Sequence, residues 1–242
     1  MDYAKKNVSR VLRSKTSARK TYDRLSRWYD MLAGSEDWFN TQDLRMIGIH
    51  AGEMVLEIGF GTGKTLLKMV QNTGEKGRVV GLDLSWGMVQ VAREKAFAAG
   101  RENRISFSLG DGAALPFGVS TFDVVFLGFT LELFDTPEIP GVLSDCLRVL
   151  RPEGRLGIVA LASSDHYYPM VRVYEWVHRN FSNVADCRPI PAREYLVQAG
   201  FVLQDSLRKP MWGMPVEMLV GIKPLLSPKI SGRAASLKAF TT

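Results

Sequence analysis

The sequence predicts a doubly wound, mostly parallel α/β sheet with helices on both faces and an antiparallel C-terminal hairpin strand. Three observations carry that expectation. Short apolar runs alternate with segments of helical period between residues 54 and 161. Glycines stand where such units must turn or stop, at Gly59, Gly61 and Gly63 and again at Gly74 and Gly100. Two further apolar runs, 201–207 and 216–222, flank Pro210-Met211-Trp212-Gly213-Met214-Pro215, as the arms of a hairpin flank its turn.

Taken in order, residues 3–32 read as helical. Val8, Val11 and Leu12 give a short apolar stripe, followed by Tyr22, Leu25, Trp28, Tyr29 and Leu32 at helical spacing. Met54-Val55-Leu56-Glu57-Ile58 is a buried strand, 62–72 a helix stopped by Gly74, and 78–83 a second strand. Ser85 caps a helix running to Gly100, with Met88, Val91, Ala92 and Lys95 on successive turns. Strands at 105–109 and 122–127 follow, the latter so apolar that it belongs at the centre. A helix at 137–150, a turn at Arg151-Pro152-Glu153-Gly154 and a strand at 156–161 come next. Pro191 opens a last helix at its first position, and Gly200 stops it. The expected organisation is a basic helical segment over 1–34 that caps the site, a catalytic domain over 35–226 and a basic flexible tail over 227–242.

Composition narrows the function. The chain has 242 residues, 46% hydrophobic and 23% charged, which suits a globular protein with a full core. No run approaches the ~20 apolar residues of a membrane span, and the basic N-terminus lacks a signal-peptide core. Cys146 and Cys187 form no CxxC pair, and His50, His166 and His178 form no HxxxH pair, so neither a disulfide framework nor a metal site is expected. A cytoplasmic protein follows. The net charge of +6 is concentrated at the ends: residues 1–20 carry +6 and residues 222–242 carry +4, leaving −4 for the interior. Basic ends attract polyanions, so peripheral contact with an anionic membrane is one expectation and a solvated helix with a frayed tail is the other.

The strongest motif is Glu57-Ile58-Gly59-Phe60-Gly61-Thr62-Gly63, between the first strand and the helix after it. A dinucleotide loop would place a third glycine at Lys64, and a phosphate loop needs a different spacing before Lys64-Thr65. The observed GxGxG suits an amino acid joined to a nucleoside without a pyrophosphate. Asp83, at the end of the second strand, can accept hydrogen bonds from both ribose hydroxyls. Asp111, in Gly110-Asp111-Gly112 after the third strand, can accept the exocyclic amine of adenine. Either aspartate alone reads equally well as a helix cap; the loop and both acids following successive strands give the nucleoside reading its weight.

These blocks resemble the class I S-adenosylmethionine-dependent methyltransferases, which have a Rossmann-like fold. VLEIGFGTGKT looks like their first motif, VVGLDLSWGMVQVAREKA their second, and SLGDGAALPFGVSTFDVVFLGFTLELF and LRVLRPEGRLGIVAL their later blocks. Tyr22-Asp23-Arg24-Leu25-Ser26-Arg27-Trp28-Tyr29-Asp30 resembles the paired Tyr-Asp signature of the UbiE-like group, which C-methylates quinone precursors. The resemblance implies S-adenosylmethionine as cofactor. Gly59, Gly61, Thr62 and Gly63 would border its methionine part and Glu57 would orient the loop. Asp83 would hold the ribose, Leu84 and Met88 would pack on adenine, and Asp111 and Gly112 would read its edge. Leu127 and Gly128 would floor the sulfonium pocket, covered by Tyr22 or Tyr29. Where the quinone methyltransferases carry an Arg-Asn pair, this chain has Gly128-Phe129-Thr130-Leu131-Glu132.

The expected function is methyl transfer to a small, apolar or lipid-like acceptor, with C-, N- and O-methylation all open. The alternatives are methylation of RNA, ranked lower because the basic residues lack interleaved aromatics, and a non-catalytic cofactor-binding partner subunit. Association into a homodimer is left open. Glu132 and His166 are the candidate bases. Tyr167 or Tyr168 could stack on an aromatic acceptor, although a capping loop with aromatic core anchors is the favoured reading there, and Tyr174, Trp176, Val177 and Phe181 could form an apolar lid or equally be ordinary helix packing.

Overall fold

A computed structural model describes residues 10–11, 13–27, 29–32, 34–163 and 188–225. Its centre is a seven-stranded sheet in the order β3-β2-β1-β4-β5-β7-β6. The strands are β1 (Met54–Ile58), β2 (Arg78–Asp83), β3 (Ile105–Leu109), β4 (Phe122–Gly128), β5 (Leu150–Leu161), β6 (Val202–Met211) and β7 (Met214–Ile222). β1 to β5 pair in parallel, and β7 lies antiparallel to β5 from Arg155↔Ile222 to Leu161↔Val216. The doubly wound sheet with its antiparallel hairpin is thus as the sequence predicts. β1 and β4 are adjacent, and the chain winds away from them in opposite directions. That leaves a crevice at the carboxyl ends of the strands, where such sheets bind ligands.

Side chains alternate between two core layers because successive residues of a strand point to opposite faces. On β4, Val124 and Phe126 join Phe39, Leu44, Ile47, Met69 and Val89 on one face. Val125 and Leu127 join Val142, Leu143, Val149 and Leu196 on the other. The first layer is covered by α3 (Glu36–Ile47), α4 (Lys64–Thr73) and α5 (Trp86–Ala98), the second by α6 (Ile139–Val149) and α7 (Ala192–Gln198). The edge strand β6 exposes Gln204, Asp205, Arg208 and Lys209, polar side chains that discourage edge-to-edge pairing.

Several expected boundaries move. Among the described residues of the helix expected over 3–32 lie two helices, α1 (Lys15–Leu25) and α2 (Tyr29–Leu32). Ser14 caps α1 by accepting from the Ser17 N–H at 3.2 Å, so Arg10 and Val11 lie in non-helical chain, while Val8 and Leu12 fall outside the described residues. The expected turn at Arg151–Gly154 is an irregularity inside β5. Phe122 pairs with Leu150 and Val124 with Arg155, and Glu153 takes up the extra length at φ 63°. Pro191 occupies the cap position before α7 instead of its first turn. The hairpin arms extend to Met211 and Met214, joined by Trp212 and Gly213 at φ 49° and 79°, the left-handed pair a two-residue turn requires.

Helix α3 was not expected, and its burial explains why. Beside Phe39, Leu44 and Ile47, its inward face carries Asn40 and Asp43. Both fit because the sheet offers glycines. A Cβ on Gly128 would lie 2.5 Å from Asn40 Oδ1, and one on Gly157 would lie 2.6 Å from Asp43 Oδ2. Asp43 is fully buried, and neither of its oxygens has a hydrogen-bond partner among the described residues. Burial, and after it the charge of Asp205, raises its carboxyl well above the usual carboxylate range. The folded state therefore holds this proton more tightly than the unfolded chain. The stabilisation is complete below the unfolded value of about 4 and is lost as pH rises toward the folded one. Asp43→Asn should flatten that loss. Thermal unfolding followed from pH 5 to 8 should show the variant gaining on the wild type as pH rises. Parallel curves would refute the assignment.

Candidate active site

The crevice at the β1–β4 switch point holds a cavity of about 450 Å³. Its floor is the loop between β1 and α4. Gly59, Gly61 and Gly63 all have positive φ, at 70°, 53° and 79°. A Cβ on Gly59 would meet the Thr130 side chain at 2.5 Å, and one on Gly63 would meet Ala92 Cβ at 2.8 Å. Those two glycines allow close packing. At Gly61 a Cβ would meet nothing nearer than the Tyr29 ring at 3.9 Å, so this position opens toward the cavity.

Asp83 ties the loop to the end of β2. Its Oδ2 accepts the Gly61 N–H at 2.9 Å and its Oδ1 accepts the Ser85 N–H at 2.8 Å. Burial pushes its carboxyl up to about 6 against those bonds. Asp111 Oδ1 accepts the Ala113 N–H at 2.9 Å, and its Oδ2 accepts from Lys15 Nζ at 2.7 Å. Of the expected site residues, Tyr22, Tyr29, Gly59, Gly61, Asp83, Leu84, Met88, Asp111 and Gly112 border the cavity, as does Gly128.

The others lie behind it. Glu57 is buried below the loop, where burial and then the charge of Asp83 raise its carboxyl well above the usual range. Thr62 turns its hydroxyl to Asp30 Oδ1, and Gly63 packs on α5. Leu127 is a correction. It belongs to the core layer under α6, because the strand alternation that brings Gly128 to the cavity turns Leu127 away. Glu132 is another. It sits fully buried in a single 3₁₀ turn, Leu131–Leu133, and accepts the Leu161 N–H at 3.3 Å through Oε1. Burial pushes its carboxyl up to about 8, and it does not border the cavity. His166 lies outside the described residues, as do Tyr167, Tyr168, Tyr174, Trp176, Val177 and Phe181.

The two Tyr-Asp pairs divide their work. Asp23 accepts from Ser85 Oγ at 2.6 Å and from the Gly87 N–H at 2.9 Å, docking α1 on the start of α5. Asp30 accepts from the Thr62 hydroxyl and pairs with Lys95 and, at 3.4 Å, with Lys64. These anchors bring Tyr22 and Tyr29 over the cavity, ring centroids 6.2 Å apart and edge to face. Sequence reading singled out the tyrosines and missed the aspartates' role, although their adjacency was the available signal. It also missed Arg10 and Lys15, which border the cavity without belonging to any motif, and gave no role to Phe129 and Phe134, which border it from the block after β4.

Comparison with known proteins agrees with this geometry. Residues 55–154 match the family model described as a methyltransferase domain. Demethylmenaquinone methyltransferase of Shouchella clausii is 32% identical over 205 residues, spanning 75% of this chain and 83% of that protein. Nocamycin O-methyltransferase of Saccharothrix syringae is 34% identical over 140 residues, spanning 57% of this chain and 48% of the relative. Among solved structures, the cyclase SpnF superposes with a TM-score of 0.71 at 17% identity, covering 90% of this chain and 100% of that one. The chain belongs to the UbiE-like family of S-adenosylmethionine-dependent methyltransferases. It is an enzyme whose methyl donor is S-adenosylmethionine.

The cavity fits that donor: a glycine whose Cβ would project into it, and two carboxylates at strand ends suited to hydroxyl and amine donors. If Asp83 binds the ribose diol as a carboxylate, Asp83→Asn should weaken S-adenosylhomocysteine binding about tenfold, near 1.4 kcal/mol. Wild-type affinity should fall as pH drops through about 6, where Asp83 takes a proton, and the variant should lose that dependence. Calorimetry across pH 5 to 8 checks both.

Proposed function

We propose that the enzyme methylates an apolar, ring-containing acceptor of the quinol type. The observation that carries this reading is the wall following β4, where Phe129, Leu133 and Phe134 border the cavity. An apolar ring gains by leaving water for such a wall, and the aromatic edges there suit stacking. The names of the two relatives, one acting on demethylmenaquinone and one a natural-product O-methyltransferase, support an acceptor of this kind.

S-adenosylmethionine supplies an activated methyl group, so the chain's own task is binding, alignment and exclusion of water. Asp83 would hold the ribose, Asp111 and Gly112 the adenine edge, with Leu84 and Met88 against its faces. The Gly59–Gly63 loop would seat the methionine part, with Glu57, Thr62 and Gly63 shaping it from behind. Tyr22 and Tyr29 would cover the cleft, the capping role expected of the N-terminal segment 1–34. Glu132 would act from the second layer, where its Oε1 fixes the turn after β4 to the end of β5. His166 stays the candidate base for taking a proton from the acceptor. The enzyme, incubated with labelled S-adenosylmethionine and reduced demethylmenaquinone, should put label into the organic phase. Label confined to small polar metabolites would overturn the apolar acceptor, and label in RNA would favour the alternative raised by the basic ends.

An apolar acceptor is most concentrated in a membrane, and one face of the cap suits that surface. Among the described residues no helix is long and apolar enough to cross a membrane. Lys20 and Arg24 on α1, and Arg27 just beyond it, are exposed and turned away from Ala18 and Tyr22, which border the cavity. Trp86, next to the glycine on which Asp23 docks, is 45% exposed. Each basic residue near an anionic surface contributes about 1 kcal/mol. Sedimentation with phosphatidylserine vesicles should show salt-sensitive binding that falls at least tenfold, by about 1.4 kcal/mol or more, when Lys20, Arg24 and Arg27 are changed to Gln. Equal binding of variant and wild type would remove the membrane contact.

A further inference from the structure

We infer that Arg10, Val11, Arg13, Ser14 and Lys15 form a salt-clasped strap across the cofactor cleft, and that Arg10 and Lys15 are positioning residues that set the rate of cofactor exchange. This rests on the placement of the cofactor in that cleft.

The strap is held at both ends by charge. Arg10 forks onto Asp135, Nε to Oδ1 at 2.8 Å and Nη2 to Oδ2 at 2.6 Å, and the Val11 N–H adds a bond to Asp135 Oδ1 at 3.1 Å. At the other end Lys15 Nζ reaches Asp111 Oδ2 at 2.7 Å and Glu138 Oε1 at 2.6 Å. Between them Arg13 binds the carbonyls of Ser17 and Ala18, and its guanidinium lies 5.9 Å from the Tyr22 ring centroid. Arg10, Val11, Arg13 and Lys15 all border the cavity.

Two features make this a clasp that opens. Arg10, Val11 and Arg13 lie in neither helix nor strand, ahead of the Ser14 cap of α1, so no helix or sheet ladder holds them. And the cationic ends are exposed, 62% at Arg10 and 42% at Lys15, where ion pairs are weak and screened by salt. The Arg10 hydrogen bond, working against partial burial, holds the Asp135 carboxyl down at about 2. Lys15 also occupies Oδ2 of Asp111, one of the two oxygens open to an adenine amine. Cofactor entry and strap release are therefore linked at one carboxylate.

Stopped-flow binding of S-adenosylhomocysteine to the full chain tests this, comparing wild type with the double variant Arg10→Gln/Lys15→Met. Association and dissociation should both quicken roughly five- to tenfold in the variant, with little change in Kd. Raising salt from about 50 mM to about 500 mM should quicken both steps in the wild type and leave the variant flat. Unchanged rates would overturn the proposal. So would a change in dissociation alone with a matching change in Kd, which would make Lys15 a direct ligand of the nucleoside. Hydrogen exchange at the Val11 amide, measured without any nucleoside, gives an independent readout: protection in the wild type and its loss in the variant support the strap, and fast exchange in both overturns it. If the nucleoside binds neither protein, the cofactor placement fails while the Val11 exchange still decides the strap.

Discussion

The hydrogen bond from the Gly61 N–H to Asp83 joins the two structures on which the site depends. One is the loop after β1, whose three glycines take conformations with φ from 53° to 79°. The other is the end of β2, where Asp83 also accepts the Ser85 N–H. A loop with so little side-chain packing has little to hold it. A buried carboxylate with both oxygens engaged by backbone donors supplies that restraint and leaves lone pairs for a ligand. The sheet order makes the bond possible, because β1 and β2 are parallel neighbours and end at the same level.

The N-terminal helices α1 and α2 are held by the same region. Asp30 grips the loop through the Thr62 hydroxyl and through Lys95 on α5, and Asp23 grips the start of α5 through Ser85 and Gly87. Ser85 is thus held by Asp83 from below and by Asp23 from above, while its own hydroxyl caps α5. Loop, N-terminal helices and helix start form one polar network, and the two tyrosine rings reach the cavity because their neighbouring aspartates are held. In such a network each member fixes its neighbours' geometry, so the site is shaped before any ligand arrives.

The buried acids off the cleft have a structural logic of their own. Glu132 links the turn after β4 to the end of β5, with Arg188 lowering and Glu36 raising the cost of its charge. Asn40 and Asp43 let α3 approach the sheet where Gly128 and Gly157 leave room. Gly128 therefore serves two neighbours: it borders the cavity on one side and accommodates Asn40 on the other.

Much of this was legible in the sequence. β1, β2 and β3 begin and end where the sequence places them: β1 is an apolar run in the middle of the sheet, and the ends of all three are marked by glycine and polar residues. The loop, Asp83 and Asp111 were readable because local geometry dictates residue type there: a positive φ calls for glycine, and a strand end facing a ligand calls for a short acceptor. Helix α3 was hidden, since its buried face mixes Asp43 and Asn40 with Phe39 and Ile47, and only glycines elsewhere in the chain make that tolerable. Glu132 read as a base because it follows β4, and only packing showed that it turns toward β5. Arg10 and Lys15 read as part of a basic helix. Their meeting with Asp135, Asp111 and Glu138, across 96 to 125 residues of sequence, is a long-range contact that no local pattern encodes. The sequence by itself thus determined the strands, the glycine loop and the class of ligand. The tertiary structure decided which carboxylates face the cleft, because that depends on side chains brought together from distant parts of the chain.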